Sequence, residues 1–258
     1  MTTLEKSDTM PPGGIPLLAD QAFIARLDDN CAGSDLTVVN AARVSFGQRA
    51  LEFQDKDQRL LDYLAEHKHM SPFRHPQICF HLKMPESIMR QAYKHVVGID
   101  WTSGAPPIKD HAWNEISGRY IVYEDVYVPP QFRPQSEDNK QASDDGDLSD
   151  VVVGMPDYLW DSRDLSVREI YREAVDHSKL AYHALLDAGV AKEQARLLMP
   201  FATFTEVIWT CSLEAVLHFI KLRQHAGAQW EIREFADAVE KLTRKRFPAS
   251  LDALLKHM

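Results

Sequence analysis

The stretch "HPQICFHLKMPESIMRQAYKH" (residues 75–95) decides the fold class, because its hydrophobic period changes at Pro85. Before Pro85, Ile78, Phe80, Leu82 and Met84 alternate with Gln77, Cys79, His81 and Lys83. That two-residue period predicts a half-buried strand. Pro85 then suits the first turn of a helix over "PESIMRQAYKH", since a first-turn residue needs no amide hydrogen for the helix ladder.

On the N-terminal side, "SDLTVVNAARVSFG" (34–47) predicts a helix, with Asp35 as its cap and Leu36, Val39 and Ala42 at helical spacing. "DKDQRLLDYLAEHKH" (55–69) predicts a second, with Leu60, Leu61 and Leu64 turned inward. On the C-terminal side, "VVGIDWTSGAPPIKD" (96–110) is a loop broken by Gly and Pro. "HAWNEISGRY" (111–120) shows neither period, and "RYIVYEDVYVPP" (119–130) reads as a strand stopped by its prolines. "RPQSEDNKQASDDGDLSD" (133–150) is polar and acidic and reads as a long loop or mobile insertion.

The second half is more helical. Ser166 and Glu169 form a capping box before "VREIYREAVDHSKLAYHALLDAG", which Gly189 can end. "KEQARLLMP" predicts a short helix, and "FATFTEVIWTC" (201–211) predicts a strand rich in aromatic and β-branched residues. Ser212 can cap "LEAVLHFIKLRQH", and a last amphipathic helix covers "AQWEIREFADAVEKLTRKRF". Strands mixed with long helices, without a regular βαβ rhythm, imply an α+β fold.

Composition narrows the function classes. The 258 residues are 45% hydrophobic and carry a net charge of −9, a poor balance for a nucleic-acid binder. No apolar run is long enough to span a bilayer, and the first twenty residues lack the pattern of a signal peptide. They read as a flexible lead-in (1–20) to a single catalytic domain (21–258) with an acidic loop at about 134–150. Cys31, Cys79 and Cys211 are too sparse for a disulfide framework and imply a reducing, cytoplasmic setting. They show no zinc-ligand spacing, and the His67/His69 pair is a weak metal signal, so no metal is expected. Gly-rich phosphate loops and a GxSxG elbow are absent.

Three polar clusters remain. They are "HKHMSPFRH" (67–75), Arg90, Gln91, Lys94 and His95 followed by Asn114, Glu115, Ser117 and Arg119, and "KEQAR" with the helix bearing His218 and Arg223. Each has an ordinary structural explanation in helix ends and solvated faces. Together they join cationic and neutral donors to a few acceptors. An anionic, planar, hydrogen-bonding ligand such as a nucleotide needs that set: arginine forks for phosphate, amides and carboxylates for a base edge.

"AARVSF" (41–46), "HKHMSPFRH" with "FHLKMP", "RQAYKH", "NEISGRY", "EQAR" and "HFIKLRQHAGAQWEIR" resemble, in order, the motifs of the flavin-dependent thymidylate synthases. The likeness spans roughly residues 35–245. It implies a single α+β domain with a mainly antiparallel sheet, in a homotetramer whose active sites lie between subunits. The reaction implied is reductive methylation of dUMP to dTMP, with methylenetetrahydrofolate as carbon donor and NADPH as reductant through bound FAD. The implied partners are thus small molecules, a nucleotide and a folate, with neither nucleic acid nor membrane.

The same resemblance implies roles. Gln91, Lys94, Glu115, Ile116, Ser117, Gly118, Arg119, Arg196 and Arg223 match dUMP-binding positions, with Ser117 and Arg119 at the phosphate and Gly118 letting the backbone come close. Arg196 would reach dUMP from a neighbouring subunit. Arg223 would be the catalytic cation beside the uracil imide, where positive charge favours the ionised ring. His69, Ser71, Lys94, His95, Glu115, Ser212 and His218 match flavin positions.

Several positions depart from the family pattern. Lys94-His95-Val96 stands where Arg-His-Arg is usual, and lysine lacks the bidentate fork. The spacer before "NEISGRY" is longer, and Ser212 and Glu214 stand where Asn and Arg are common. Either another cation compensates, Lys109 being one candidate, or flavin binding is reshaped. Two further readings therefore stay open: a related pyrimidine-nucleotide C5 methylase or hydroxymethylase, and a nucleotide-binding homologue without turnover.

Overall fold

The computed structural model describes residues 9–94, 111–154 and 163–257. Its frame is a five-stranded antiparallel sheet in the order β1-β2-β3-β7-β4. The strands are β1 (Ile15–Leu17), β2 (Ala22–Arg26), β3 (Gln77–Pro85), β4 (His111–Glu115) and β7 (Phe204–Ser212). A separate hairpin pairs β5 (Val152–Gly154) with β6 (Asp164–Ser166). The fold is α+β, and the predicted strand over the opening stretch is β3 itself.

β3 and β7 pair along their whole length, from Gln77 opposite Ser212 to Pro85 opposite Phe204. One face of this ribbon carries Ile78, Phe80, Leu82 and Met84 against Cys211, Trp209, Val207 and Thr205, all buried. Trp209 is the centre of the core. Its ring lies parallel to Trp113 at 4.8 Å, 5.3 Å from Phe80, and edge-on to Phe219 at 5.5 Å. Its Nε1 donates to His111 Nδ1 at 3.0 Å, so the polar edge of a fully buried indole is satisfied. The other face is more polar: His81 meets Glu206 at 3.2 Å, and Lys83 donates to Asp125 at 2.9 Å.

The helices are α1 (Asp35–Arg43), α2 (Asp55–Glu66), α3 (Glu86–Tyr93), α4 (Val167–Asp187), α5 (Lys192–Ala195), α6 (Leu213–Arg223), α7 (Trp230–Arg244) and α8 (Pro248–Lys256). Local signals work as expected at several ends. Ser166 and Glu169 form the capping box of α4, Gly189 follows that helix with φ +85°, and Ser212 accepts the Ala215 amide to cap α6. Leu61 and Leu64 are buried, and Leu60 is partly so.

Other expectations are corrected. Ser34, not Asp35, is the N-cap of α1. The Asp35 carboxylate instead accepts the amides of Ala249 and Ser250 at 3.1 and 2.8 Å, capping α8 from a distance. The helix over 228–247 is not the last, because α8 comes after it. "RYIVYEDVYVPP" is not a strand. It runs irregularly, with one bridge from Val126 to Thr203, and the neighbouring strand is β4 at the front of "HAWNEISGRY". β4 lies on Trp113 over Trp209, a pairing that no local period announces. The lead-in already joins the sheet at Ile15.

The acidic segment after Arg133 is irregular but held. Gln135 Nε2 donates to the Ala142 carbonyl at 2.9 Å, and Asp147 accepts the amides of Phe132 and Ser149. Arg133 itself bonds Glu231 at 2.8 Å and lies over the Trp230 ring at 5.2 Å. Its charge and its planar face both hold the segment to the start of α7. Cys79 and Cys211 are buried and Cys31 is half-buried, all free thiols. Among the described residues no helix is long and apolar enough to cross a membrane.

Trp209→Ala should cost about 3–5 kcal/mol of unfolding free energy, read by denaturant melts. A loss under about 1 kcal/mol would contradict its central place in the core.

Candidate functional site

Pro85 turns the chain from β3 into α3, which presents Glu86 and Arg90 at that end of the ribbon. Arg90 is exposed, with its guanidinium 5.1 Å above the Phe201 ring. A cavity of about 420 Å³ opens here, lined by Glu86, Arg90, Tyr123, Arg196, Phe201 and others. Arg196 begins the 3₁₀ turn Arg196–Leu198 directly after α5. Burial, and then the Glu115 carboxylate, push the Glu86 carboxyl above its ordinary value. Two guanidinium groups beside one carboxyl make a basic concavity in an acidic protein, suited to a phosphate monoester.

β4 ends in Glu115, whose carboxylate accepts from Thr205 Oγ1 at 2.5 Å. Tyr93 lies beside the same carboxylate, and burial first, then that negative charge, push its phenol up. The Ile116 amide donates to the Glu206 carbonyl, after which the chain turns: Ser117 O accepts the amides of Tyr120 at 2.8 Å and Ile121 at 3.1 Å. Ser117 Oγ accepts from both the amide and Nε of Arg119, each at 3.3 Å. Gly118 is buried in this turn. A Cβ there would stand 2.3 Å from the Tyr123 ring, so the close approach expected of Gly118 is toward the protein's own tyrosine.

Gln91 donates to Gln229 at 2.6 Å, which joins "RQAYKH" to the "AQWEI" corner. Lys94 is exposed at the end of α3. His95, Val96 and Lys109 lie outside the described residues. Arg223 ends α6, and partial burial lowers its guanidinium below its ordinary value.

Four of the residues matched to flavin positions, His69, Ser71, Ser212 and His218, lie on elements at the other end of the ribbon, whereas Glu115, matched to both sets, does not. His69 is exposed just past α2, edge-on to Tyr63 at 6.0 Å, and Ser71 opens the exposed start of a 3₁₀ turn, Ser71–Arg74. Ser212 is buried, and its hydroxyl caps α6. His218 is half-buried on α6, where burial and then Lys221 hold its imidazole below the usual value and favour the neutral ring. Glu214 does not face this surface as a lone anion, because Arg74 Nε lies 3.5 Å from its Oε2. Arg74 therefore offsets the Glu214 charge locally. The set fits a flavin dinucleotide: exposed hydroxyl, imidazole and guanidinium donors for anionic oxygens and ring edges.

The register separates the two groups. Ser212 is level with Gln77 and Phe204 with Pro85, eight residues apart, or roughly 27 Å of strand. Sequence reasoning missed Glu86, Tyr123, Thr205, Gln229 and the role of Arg74. Pro85 marked the helix start that holds Glu86, while no sequence period pointed to the other four.

An α+β frame with a basic, carboxylate-edged cavity defines a nucleotide-site protein. The family model described as "Thymidylate synthase complementing protein" matches residues 26–249, and the chain belongs to that family. A flavin-dependent thymidylate synthase of Thermus thermophilus is 36% identical over 248 residues, covering 96% of this chain and 80% of its own. One from Thermotoga neapolitana is 33% identical over 245 residues, covering 94% of each. Among solved structures, the UMP/dUMP methylase PolB from Streptomyces cacaoi bound with 5-Br UMP superposes with a TM-score of 0.70 at 26% identity. That match covers 92% of this chain and 95% of the other. The same enzyme bound with 5-Br dUMP also gives 0.70, at 25% identity, covering 94% and 97%.

The Arg74–Glu214 pair makes a cycle prediction. Arg74→Glu and Glu214→Arg should each lower the melting temperature more than the double swap does, with a coupling of about 0.2–1 kcal/mol. Strictly additive losses would show that the two side chains do not interact.

Proposed function

We propose that this protein is a flavin-dependent thymidylate synthase. It methylates dUMP to dTMP, taking the carbon from methylenetetrahydrofolate and using NADPH as reductant. The observation that carries this reading is the cavity flanked by Arg90 and Arg196 beside the Glu115–Arg119 turn, in a chain whose curated relatives bear that name. FAD, when bound, supplies the hydride that turns a one-carbon bridge into a methyl group.

The chain's own residues bind and orient. Ser117, Arg119 and Arg196 take the nucleotide phosphate, with Arg196 in the same chain's cavity beside Tyr123 and not reaching in from a neighbouring subunit as the resemblance implied, and with Ile116 and Gly118 supplying backbone to the same turn. Gln91 and Lys94 take the base and sugar side, and Glu115, held by Thr205, lies between nucleotide and flavin. Arg223 stands by the uracil imide. A fixed cation there lowers the cost of negative charge on the ring and makes C5 a better nucleophile. His69, Ser71, His95 and His218 hold FAD, and Ser212 shapes that surface by capping α6.

Because Ser71 and Ser212 lie at one end of the β3–β7 ribbon and Glu115 toward the other, we infer that each site is completed by a second copy, within a homotetramer. The free thiols and acidic charge suit a cytoplasmic enzyme on small molecules, without nucleic acid or membrane.

A second reading has its own support: a C5 methylase that also accepts UMP, since PolB of Streptomyces cacaoi, with the same fold, is a UMP/dUMP methylase. Purified protein should be yellow and should convert dUMP to dTMP with methylenetetrahydrofolate and NADPH. Colourless protein that cannot be reconstituted with FAD would end the flavin reading. Methylation of UMP as fast as dUMP would favour the second. Arg223→Ala should keep fold and FAD content but lose at least about a hundredfold in turnover. Near-normal turnover would remove it from the catalytic role.

A further inference from the structure

Tyr123 both lines the Arg90–Arg196 cavity and packs directly on the Ser117–Arg119 turn. Its ring occupies the space that a side chain at position 118 would need. The nearest ring carbon would be 2.3 Å from a Cβ there, and the phenol oxygen 3.0 Å. The phenol hydroxyl lies against the Gly118 backbone. The backbone of Tyr123 is held in turn, since its amide donates to the hydroxyl of Tyr182 at 3.3 Å. Tyr182 is fully buried on α4, the longest helix among the described residues. A chain of contacts therefore runs from the inside of α4 through Tyr123 to Gly118. The groups it fixes on either side are Ser117 Oγ and the Arg119 guanidinium, already bonded to each other.

We propose that Tyr123 is a positioning residue for the substrate's phosphate. It holds the Ser117–Arg119 donors in register with Arg196 across the cavity, and it is the reason position 118 is glycine. An oxyanion gripped by several donors needs all of them placed at once, and a turn with no sheet partner of its own cannot supply that order alone. Burial first, and then the Glu86 carboxylate, push the phenol above its ordinary value, while the Arg196 guanidinium opposes them, so the hydroxyl stays neutral. This inference rests on the nucleotide reading above and adds a residue that no local motif marks.

The test uses FAD-loaded full-length protein. Binding of dUMP is measured by titration calorimetry, with deoxyuridine, which lacks the phosphate, as competitor. Tyr123→Phe keeps the ring and removes the hydroxyl that lies against Gly118. It should weaken dUMP binding roughly threefold to tenfold, as expected for one lost polar contact, and leave the deoxyuridine competition unchanged. Gly118→Ala, which forces a side chain into the ring, should weaken dUMP binding further while FAD content and melting temperature stay near the parent. Equal loss of dUMP and deoxyuridine binding, or none, in Tyr123→Phe overturns the proposal. If Tyr123→Phe loses FAD or unfolds, its role is general support of the fold, and the proposal is equally overturned. Failure of the parent protein to bind dUMP sinks the nucleotide reading and this inference with it, whereas parental binding with an indifferent Tyr123→Phe sinks the inference alone.

Discussion

Nine residue pairs join β3 to β7, and the helices and turns that carry the candidate site residues attach at both ends of that ribbon. Trp209 pins its centre. With Phe80 beside it, Trp113 stacked on it and Phe219 edge-on, a shift by one residue would turn the indole to the polar face opposite. The register is therefore strongly specified. With it are specified the level of Ser212 at one end and of Glu86 and Glu115 at the other. The distance between the Ser212 end and the Glu115 end is a consequence of strand length.

Electrostatics within this frame are local. The chain is acidic overall, yet Arg90 and Arg196 face one cavity with a single carboxyl, Glu86, that burial pushes toward its neutral form. At the Ser212 end Glu214 is answered by Arg74 from a different element, so its charge is locally offset.

Support for the site comes from residues without a motif. Thr205, near the start of a hydrophobic strand, holds Glu115; Gln229 holds Gln91; Arg133, from an acidic loop, clamps Trp230 and Glu231. The loop after Arg133 has the composition of a solvated insertion and few apolar residues to suggest otherwise. Its order comes from backbone carbonyls and amides satisfied by Gln135 and Asp147, which composition does not encode.

The sequence by itself determined the alternating face of β3, the entry into α3 at Pro85, the capping box of α4 and the Ser212 cap of α6. It did so because each is a matter of period or of contacts within a few residues. Its ordered motifs also carried the family. What only the tertiary structure decided depends on partners far apart in the chain. β4 forms because Trp113 meets Trp209 across 96 residues of sequence, whereas "RYIVYEDVYVPP", with better local strand character, finds no partner beyond one bridge. Asp35 caps α8 and not its own helix, Arg74 answers Glu214, and Tyr123 fills the space beside Gly118. None of these has a local signal, because a side chain's nearest neighbours in space are set by how the elements pack and not by the residues adjacent to it in the chain.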